Sequence, residues 1–344
     1  MALFSRDVGI DLGTASTVVH VRGRGIVIRE PSVVAIDKSN MKVMAVGESA
    51  KEMLGRTPGG IVAIRPLKEG VIANYDMTQV MLRYFMQKAG AHSRMFKPRV
   101  VICIPSGITE VEKRAVEEAT IQAGAREAYL IEESMAAALG AGLPVEDAVG
   151  SMIVNIGGGT SEIAVISLSG IVASQSLRIA GDAFDSAIML YIKRELNLLI
   201  GERTAEDIKL TIGAAYRRPG HADENYEIRG RDIIDGLPKN LIITSTEIIE
   251  ALGDPLGEIL EAIRLTLEKT PPELASDIME GGIVMAGGSS LLYGLSDLIS
   301  HVTGMPVIIA ENPVDCVAMG TGIVLNELDS LRRLLVTSNQ KKHQ

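Results

Sequence analysis

The chain has 344 residues, 47% of them hydrophobic, a formal charge of −9 at pH 7, two cysteines and no tryptophan. That length fits two domains better than one core, and the acidic balance argues against a nucleic-acid surface as the main partner. Two cysteines make no disulfide framework and fit a reducing cytoplasm. The MALFSRD start lacks a signal-peptide core, and no run of about 18 apolar residues offers a membrane helix.

In chain order, residues 7–12 and 17–21 read as an apolar hairpin, and 26–36 and 41–47 continue in strands. The stretch GRTPGGIVAIRPLKEGVI is punctuated by Gly and Pro and reads as loop. DMTQVMLRYFMQKAG has helical periodicity, and VVICIP is a short buried strand holding Cys103. Thr109 and Glu112 form a capping box for the helix TEVEKRAVEEATIQAGA. YLIEES is a strand leading into the small-residue helix MAAALGAG. Residues 151–180 return to strand, glycine turn, strand and a third strand, and GDAFDSAIMLYIKREL is a helix. GERTAEDIKLTIGAAY is a helix with Thr204 as N-cap, and HADENYEIRGRD is an exposed hairpin. DPLGEILEAIRLTLEKT has Asp254 as N-cap with Pro255 at the first helical position. GGIVMAGGSS is a strand ending in a third glycine turn, and the residues from about Thr337 form a polar tail.

The opening hairpin, IDLGTASTVVHV, and the later one, VNIGGGTSEIAV, share a pattern at an offset of 144 residues. Asp11 in the first matches Asn155 in the second. The economical reading is a duplicated α/β domain whose halves face each other across a cleft. Glycine turns point several N–H groups into one space, where an anion can sit. Gly157, Gly158, Gly159 and Thr160 make one such cradle; Gly13, Thr14 and the hydroxyls of Ser16 and Thr17 make the other. Two opposed cradles clamp a polyphosphate. Asp11 then holds a hydrated Mg²⁺, a cation that keeps most of its waters and takes few protein carboxylates. The turn MAGGSS suits a nucleotide's sugar or α-phosphate. Ordinary hairpin turns that use Gly for backbone reasons are the competing reading. GxxxxGK[ST], an early GxGxxG and zinc spacings are all absent.

DLGTAST, IEESMAAALGAG, NIGGGTSEIAVIS, GERTAEDIK, RGRDIIDGLP and AGGSSLLYGL, in this order, resemble the MreB/Mbl family of bacterial actin homologues from about residue 6 to 330. The resemblance implies an actin-like α/β fold of two duplicated, ribonuclease-H-like domains around a nucleotide cleft, each with a smaller inserted subdomain. The implied partition is 1–32, 66–144 and 314–336; 33–65; 145–181 and 246–313; 182–245; and a tail, 337–344. It implies ATP and Mg²⁺ as cofactors and Asp11 as the Mg²⁺ residue, acting through water. Gly13, Thr14 and Ala15 look like the first phosphate loop, and Asn155, Gly157, Gly158, Gly159 and Thr160 the second. Glu133 takes the place of the residue that orients the attacking water, with Thr160 assisting. Glu206 and Lys209 match the pair at ribose and adenine, Gly287 and Gly288 the adenosine loop, and Gly181 and Asp182 a turn near the nucleotide.

The residues alone leave other readings open. Glu206 and Lys209 also fit a solvated i,i+3 ion pair, and Glu133 a helix start. The family usually has Asp at position 155, Pro at 134, Asn at 16 and Gly at 289; this chain has Asn155, Ser134, Ser16 and Ser289. An amide hydrogen bonds but carries no charge, so ATP is expected to bind while hydrolysis is slow.

For partners, the resemblance implies self-assembly into antiparallel double protofilaments on the inner face of the cytoplasmic membrane, organising the cell-wall synthesis machinery that sets rod shape. Met95 and Phe96, between Arg94, Lys97 and Arg99, suit anionic headgroups or a place in the core; Leu3 and Phe4 could assist at the membrane. Val111 falls at the family's filament interface or in a core stripe with Ala115 and Ala119. Competing functions are a small-molecule kinase of the same superfamily, for which no further cleft Asp claims the base role, and a chaperone ATPase, for which no peptide-binding domain follows.

Overall fold

The computed structural model describes residues 6–56, 59–91, 97–217, 220 and 222–336. Met95, Phe96, Leu3, Phe4 and the tail from Thr337 lie outside these residues.

Two sheets carry the architecture. The first contains β1 (Val8–Leu12), β2 (Ser16–Val21), β3 (Gly25–Pro31), β4 (Arg99–Ile104) and β5 (Glu127–Glu132), with the short strand Leu335–Val336 beyond β5. The second contains β6 (Ser151–Ile156), β7 (Ser161–Ser167), β8 (Gly170–Leu177), β9 (Ile283–Ala286) and β10 (Val307–Ile309). Both use one plan. β1 pairs antiparallel with β2 and parallel with β4, and β6 pairs antiparallel with β7 and parallel with β9. The duplication expected from the paired glycine turns is therefore present in strand order. Central strands buried on both faces account for the unbroken apolar runs, such as VVICI and IVMA.

Smaller units are set into each half. Val34–Asp37, Val43–Val46 and Ile61–Ile64 form one three-stranded sheet; Leu198–Leu199, Asn225–Asp232 and Pro238–Thr244 form another. Part of the stretch read as loop is thus a strand, and part a tight hairpin, Leu67–Lys68 with Val71–Ile72. Tertiary pairing along IVAI outweighs the Gly and Pro that flank it.

Helix α1 (Glu110–Ala123) starts with the expected capping box of Thr109 and Glu112. Two expected caps are absent. Helix Glu202–Ile212 starts after Gly201, so Thr204 lies inside its first turn. Helix Gly253–Glu268 follows Ser245–Ala251 with only Leu252 between, in helical conformation, so Asp254 has no extended cap position. An unforeseen capping box, Thr244 with Glu247, starts the earlier of these two helices.

The halves meet at helices α2 (Glu133–Gly140) and α3 (Cys316–Asn326). One apolar cluster joins their Met135, Ala136, Ala137 and Val317 to Val101 and Ile131 of the first sheet and Ile153 and Val284 of the second. The helices cross at van der Waals limits. A Cβ on Gly140 would stand 1.8 Å from the Cys316 carbonyl oxygen, and one on Gly320 would stand 1.9 Å from that of Ala136. The contacted atoms are backbone, so no rotamer change relieves them. Gly320→Ala gains about 1 kcal/mol of helix propensity and loses about 1–3 kcal/mol to overpacking. The expected net result is a lower urea midpoint in equilibrium unfolding; an unchanged or higher midpoint would show that the crossing opens freely.

Candidate nucleotide cleft

The two glycine hairpins have identical turns. Gly13 N–H donates to the Ser16 carbonyl at 3.1 Å and Gly157 N–H to that of Thr160 at 2.9 Å. Those amides close the turns and are not available to an anion. Among the described residues, the amides of Thr14, Ala15, Gly158 and Gly159 at the tips take no backbone acceptor. The tips touch. A Cβ on Gly158 would lie 2.4 Å from Ala15 Cβ, and one on Gly159 would lie 2.4 Å from Thr14 Oγ1. Glycine is needed here for close approach, since neither residue has positive φ. Gly287 does, at φ 83°, and its Cβ would meet the Ile156 carbonyl oxygen at 2.2 Å.

Around the tips is a cleft of about 620 Å³. Of the residues the sequence proposed for nucleotide, metal or hydrolysis, all but Thr17 line it: Asp11, Gly13, Thr14, Ala15, Ser16, Glu133, Asn155, Gly157, Gly158, Gly159, Thr160, Gly181, Glu206, Lys209, Gly287 and Gly288. Thr17 is a correction: it is fully buried, with Oγ1 2.8 Å from Ser32 Oγ, and does not line the cleft. Glu206 and Lys209 do not form the i,i+3 pair. Lys209 donates to Asp185 at 2.9 Å and to the Gly181 carbonyl at 3.0 Å, while Glu206 accepts from Lys51 at 2.9 Å. Ser289 Oγ donates to the Gly157 carbonyl at 2.7 Å, tying the third turn to the second.

Sequence reading missed Lys51, at the end of the short helix Glu48–Lys51, and Arg65, just past the strand Ile61–Ile64; Arg65 meets Asp182 at 3.4 Å. It also missed the apolar end formed by Leu210, Tyr216, Leu291, Leu292 and Tyr293. These residues have no shared motif. Asp182, Asp185 and Asp223 also line the cleft, but the first two face cations and Asp223 accepts from Ser245 and Thr246.

The floor is acidic. Burial pushes the Asp11 carboxyl up to about 7, opposed by the Cys103 thiol donating at 3.4 Å and reinforced by the Asp315 charge. Burial, then the charges of Glu162 and Asp11, hold Glu133 well above the usual carboxylate range, although Asn155 Nδ2 donates to its Oε1 at 2.8 Å. Of the cations that line the cleft, Lys51, Arg65 and Lys209 are paired with acids. Asn155 Oδ1 is buried with no partner. Glycine cradles that a Cβ would fill, an orphaned acceptor and an acidic floor short of cations fit a polyphosphate with a hydrated cation. Among the described residues no group of three His, Cys, Asp or Glu could hold a metal alone, so Mg²⁺ would need phosphate and water ligands.

Comparison with known proteins gives a direct answer: the MreB/Mbl protein family model matches residues 5–333. The chain belongs to the MreB/Mbl family. It is 51% identical over 329 residues to the cell shape-determining protein Mbl of Bacillus subtilis, covering 96% of this chain and 98% of that one. It is 53% identical over 332 residues to the cell shape-determining protein MreB of Escherichia coli, covering 95% of each. MreB5 of Spiroplasma citri bound to AMPPNP superposes with a TM-score of 0.89 at 37% identity, over 94% of this chain and 97% of that one. The same protein is also solved bound to ADP. A MamK double helical filament gives 0.79 at 20% identity, over 93% and 98%, and bears on the fold alone. The actin-like fold expected for this MreB/Mbl chain is thereby established.

The raised carboxyls make a pH prediction. With Asp11 and Glu162 both up at about 7, the folded chain keeps protons that the unfolded chain releases between about pH 4 and 7, so they subtract stability as pH rises through that window. A bound cation removes the Asp11 share. The rise in melting temperature on adding Mg·ATP is therefore expected to be larger at about pH 7.5 than at about pH 5.5. Equal rises at both would separate Asp11 from the cation.

Proposed function

We propose that this MreB/Mbl chain binds ATP with Mg²⁺ between its halves, assembles into filaments on the inner face of the cytoplasmic membrane and helps determine cell shape by organising wall synthesis. The four-subdomain partition given by the sequence is part of this reading. The observation that carries it is the contact of two identical hairpin tips, with open amides, beside Asp11 and the buried Asn155. Relatives whose names record cell-shape determination, and a relative solved with AMPPNP and with ADP, support it. When bound, Mg²⁺ would neutralise phosphate charge. The tip amides would hold the phosphates, Glu206 and Lys209 would face the sugar and base, and the Leu210, Tyr216 and Leu291 end would take the apolar ring. No helix among the described residues is long and apolar enough to cross a membrane, so attachment on this reading is peripheral.

Hydrolysis on this reading is slow. Asn155 supplies no charge, and its amide occupies the Glu133 oxygen that would otherwise accept from water. With Mg²⁺ present, Asn155→Asp is expected to raise the single-turnover rate and to steepen the Mg²⁺ dependence of ATP binding. No increase in rate would count against the assignment.

Val111 is 77% exposed on α1, which removes the core reading and leaves an apolar point on a polar helix. As a filament contact it predicts that Val111→Glu leaves ATP binding intact and converts paired protofilaments to single ones in electron micrographs on lipid. Paired filaments in the variant would place the lateral contact elsewhere, and no filaments from the unmodified chain with ATP would remove the polymer reading.

A further inference from the structure

Glu162 is fully buried at 0% exposure and does not line the cleft. It lies in β7 two residues after Thr160, directly opposite Asn155 on β6 and Ser176 on β8. Ser176 Oγ donates to its Oε1 at 2.6 Å. The backbone N–H of Ser106, just past β4 of the other sheet, donates to its Oε2 at 3.2 Å. The hydroxyl of that same serine donates to Glu132 at 2.6 Å, and Glu132 is followed by Glu133. A continuous path thus runs from Thr160 through Glu162, Ser106 and Glu132 to Glu133. It joins the two residues, from different halves, that the family resemblance assigns to the attacking water.

Behind this path is a second cavity of about 310 Å³, lined by Ser106, Ser176 and Arg178 among others. Pro105 and Thr160 line both it and the main cleft. The wall between them is thin, and the Ser106 and Glu162 hydrogen bonds brace Thr160 from behind.

We infer that Glu162 is a positioning residue for hydrolysis, a tie that holds Thr160 of one half at a fixed distance from Glu133 of the other through Ser106 and Glu132. This rests on the cleft being an ATP site. Errors of about 1 Å in such a pair cost on the order of a hundredfold in rate, whereas phosphate binding by the hairpin tips does not need the tie. The acceptor oxygens matter more than the charge. Glu132 and Glu133 face Glu162 with no cation among its partners, and burial pushes its carboxyl up to about 7. A Gln at this position keeps an oxygen for the Ser106 N–H.

Single-turnover hydrolysis of Mg·ATP and binding of a fluorescent ATP analogue test this on the full chain. Glu162→Ala is expected to slow hydrolysis by at least about tenfold with affinity changed less than about threefold. Glu162→Gln is expected to restore the rate to within about threefold of the unmodified chain, and Ser106→Ala to fall between. A merely structural glutamate would lose affinity and rate together. That result, an undiminished rate in Glu162→Ala, or equal losses in Ala and Gln, overturns the tie. Should Glu162→Ala fail to fold, Ser106→Ala decides: hydrolysis lost with binding kept supports the tie, and unchanged hydrolysis overturns it. An unmodified chain that binds ATP without hydrolysing it overturns the tie and leaves the nucleotide site standing; one that does not bind ATP removes the proposed function itself.

Discussion

The structure depends on the close approach of two hairpin tips. Thr14 and Ala15 press on Gly158 and Gly159 so closely that a single methyl on either glycine would collide. This contact brings two sets of N–H groups into one space, and it fixes where the rest must go. The Leu67–Ile72 hairpin closes over it, with Gly70 N–H donating to Thr14 Oγ1 at 2.9 Å. The third glycine turn locks on from the other side through Ser289. Backbone donors at such close approach would need no long side chains to hold an anion.

Charge is arranged to match. Acids lie deep, and the lining cations Lys51, Arg65 and Lys209 are already paired. Lys51–Glu206 and Arg65–Asp182 cross from the first inserted unit to the second half. Their side chains are partly exposed, so each contributes about 0–1 kcal/mol. Such pairs are too weak to hold the two halves together by themselves. The deep acids are different: without a cation, burial favours their protonated forms. Asn155 limits the problem, because a fourth carboxylate between Glu133 and Glu162 would add repulsion where no positive charge is at hand.

Much of this was legible in the residues. The repeat was visible because each hairpin places Gly, Thr or Ser and an acid or amide at the same offsets, and both turns close with the same hydrogen bond. The Thr109 capping box was legible because its partners are three residues apart. Thr204 and Asp254 misled for a related reason: a cap needs extended backbone, and what precedes each residue decides that, not the residue itself. Thr17 carries the right hydroxyl, but strand alternation turns it toward Ser32. Lys51, Arg65 and the Ser106 link were invisible because their partners lie 155, 117 and 56 residues away.

The same long-range links explain how two weakly related halves act as one site. Helices α2 and α3 are threaded between both sheets at glycine crossings, so they cannot slide apart without exposing a shared apolar cluster. Glu133 stands at the start of α2 and therefore moves with that cluster, not with the hairpin tips. Thr160 moves with the second hairpin. A nucleotide that pulls the tips together would change the distance between them unless something spans the gap. The Glu162 to Ser106 hydrogen bond spans it beside the second glycine turn, as does the Asn155 to Glu133 hydrogen bond. Binding and alignment can then be separate properties of one cleft, the first set by glycine backbone and the second by a buried carboxyl group.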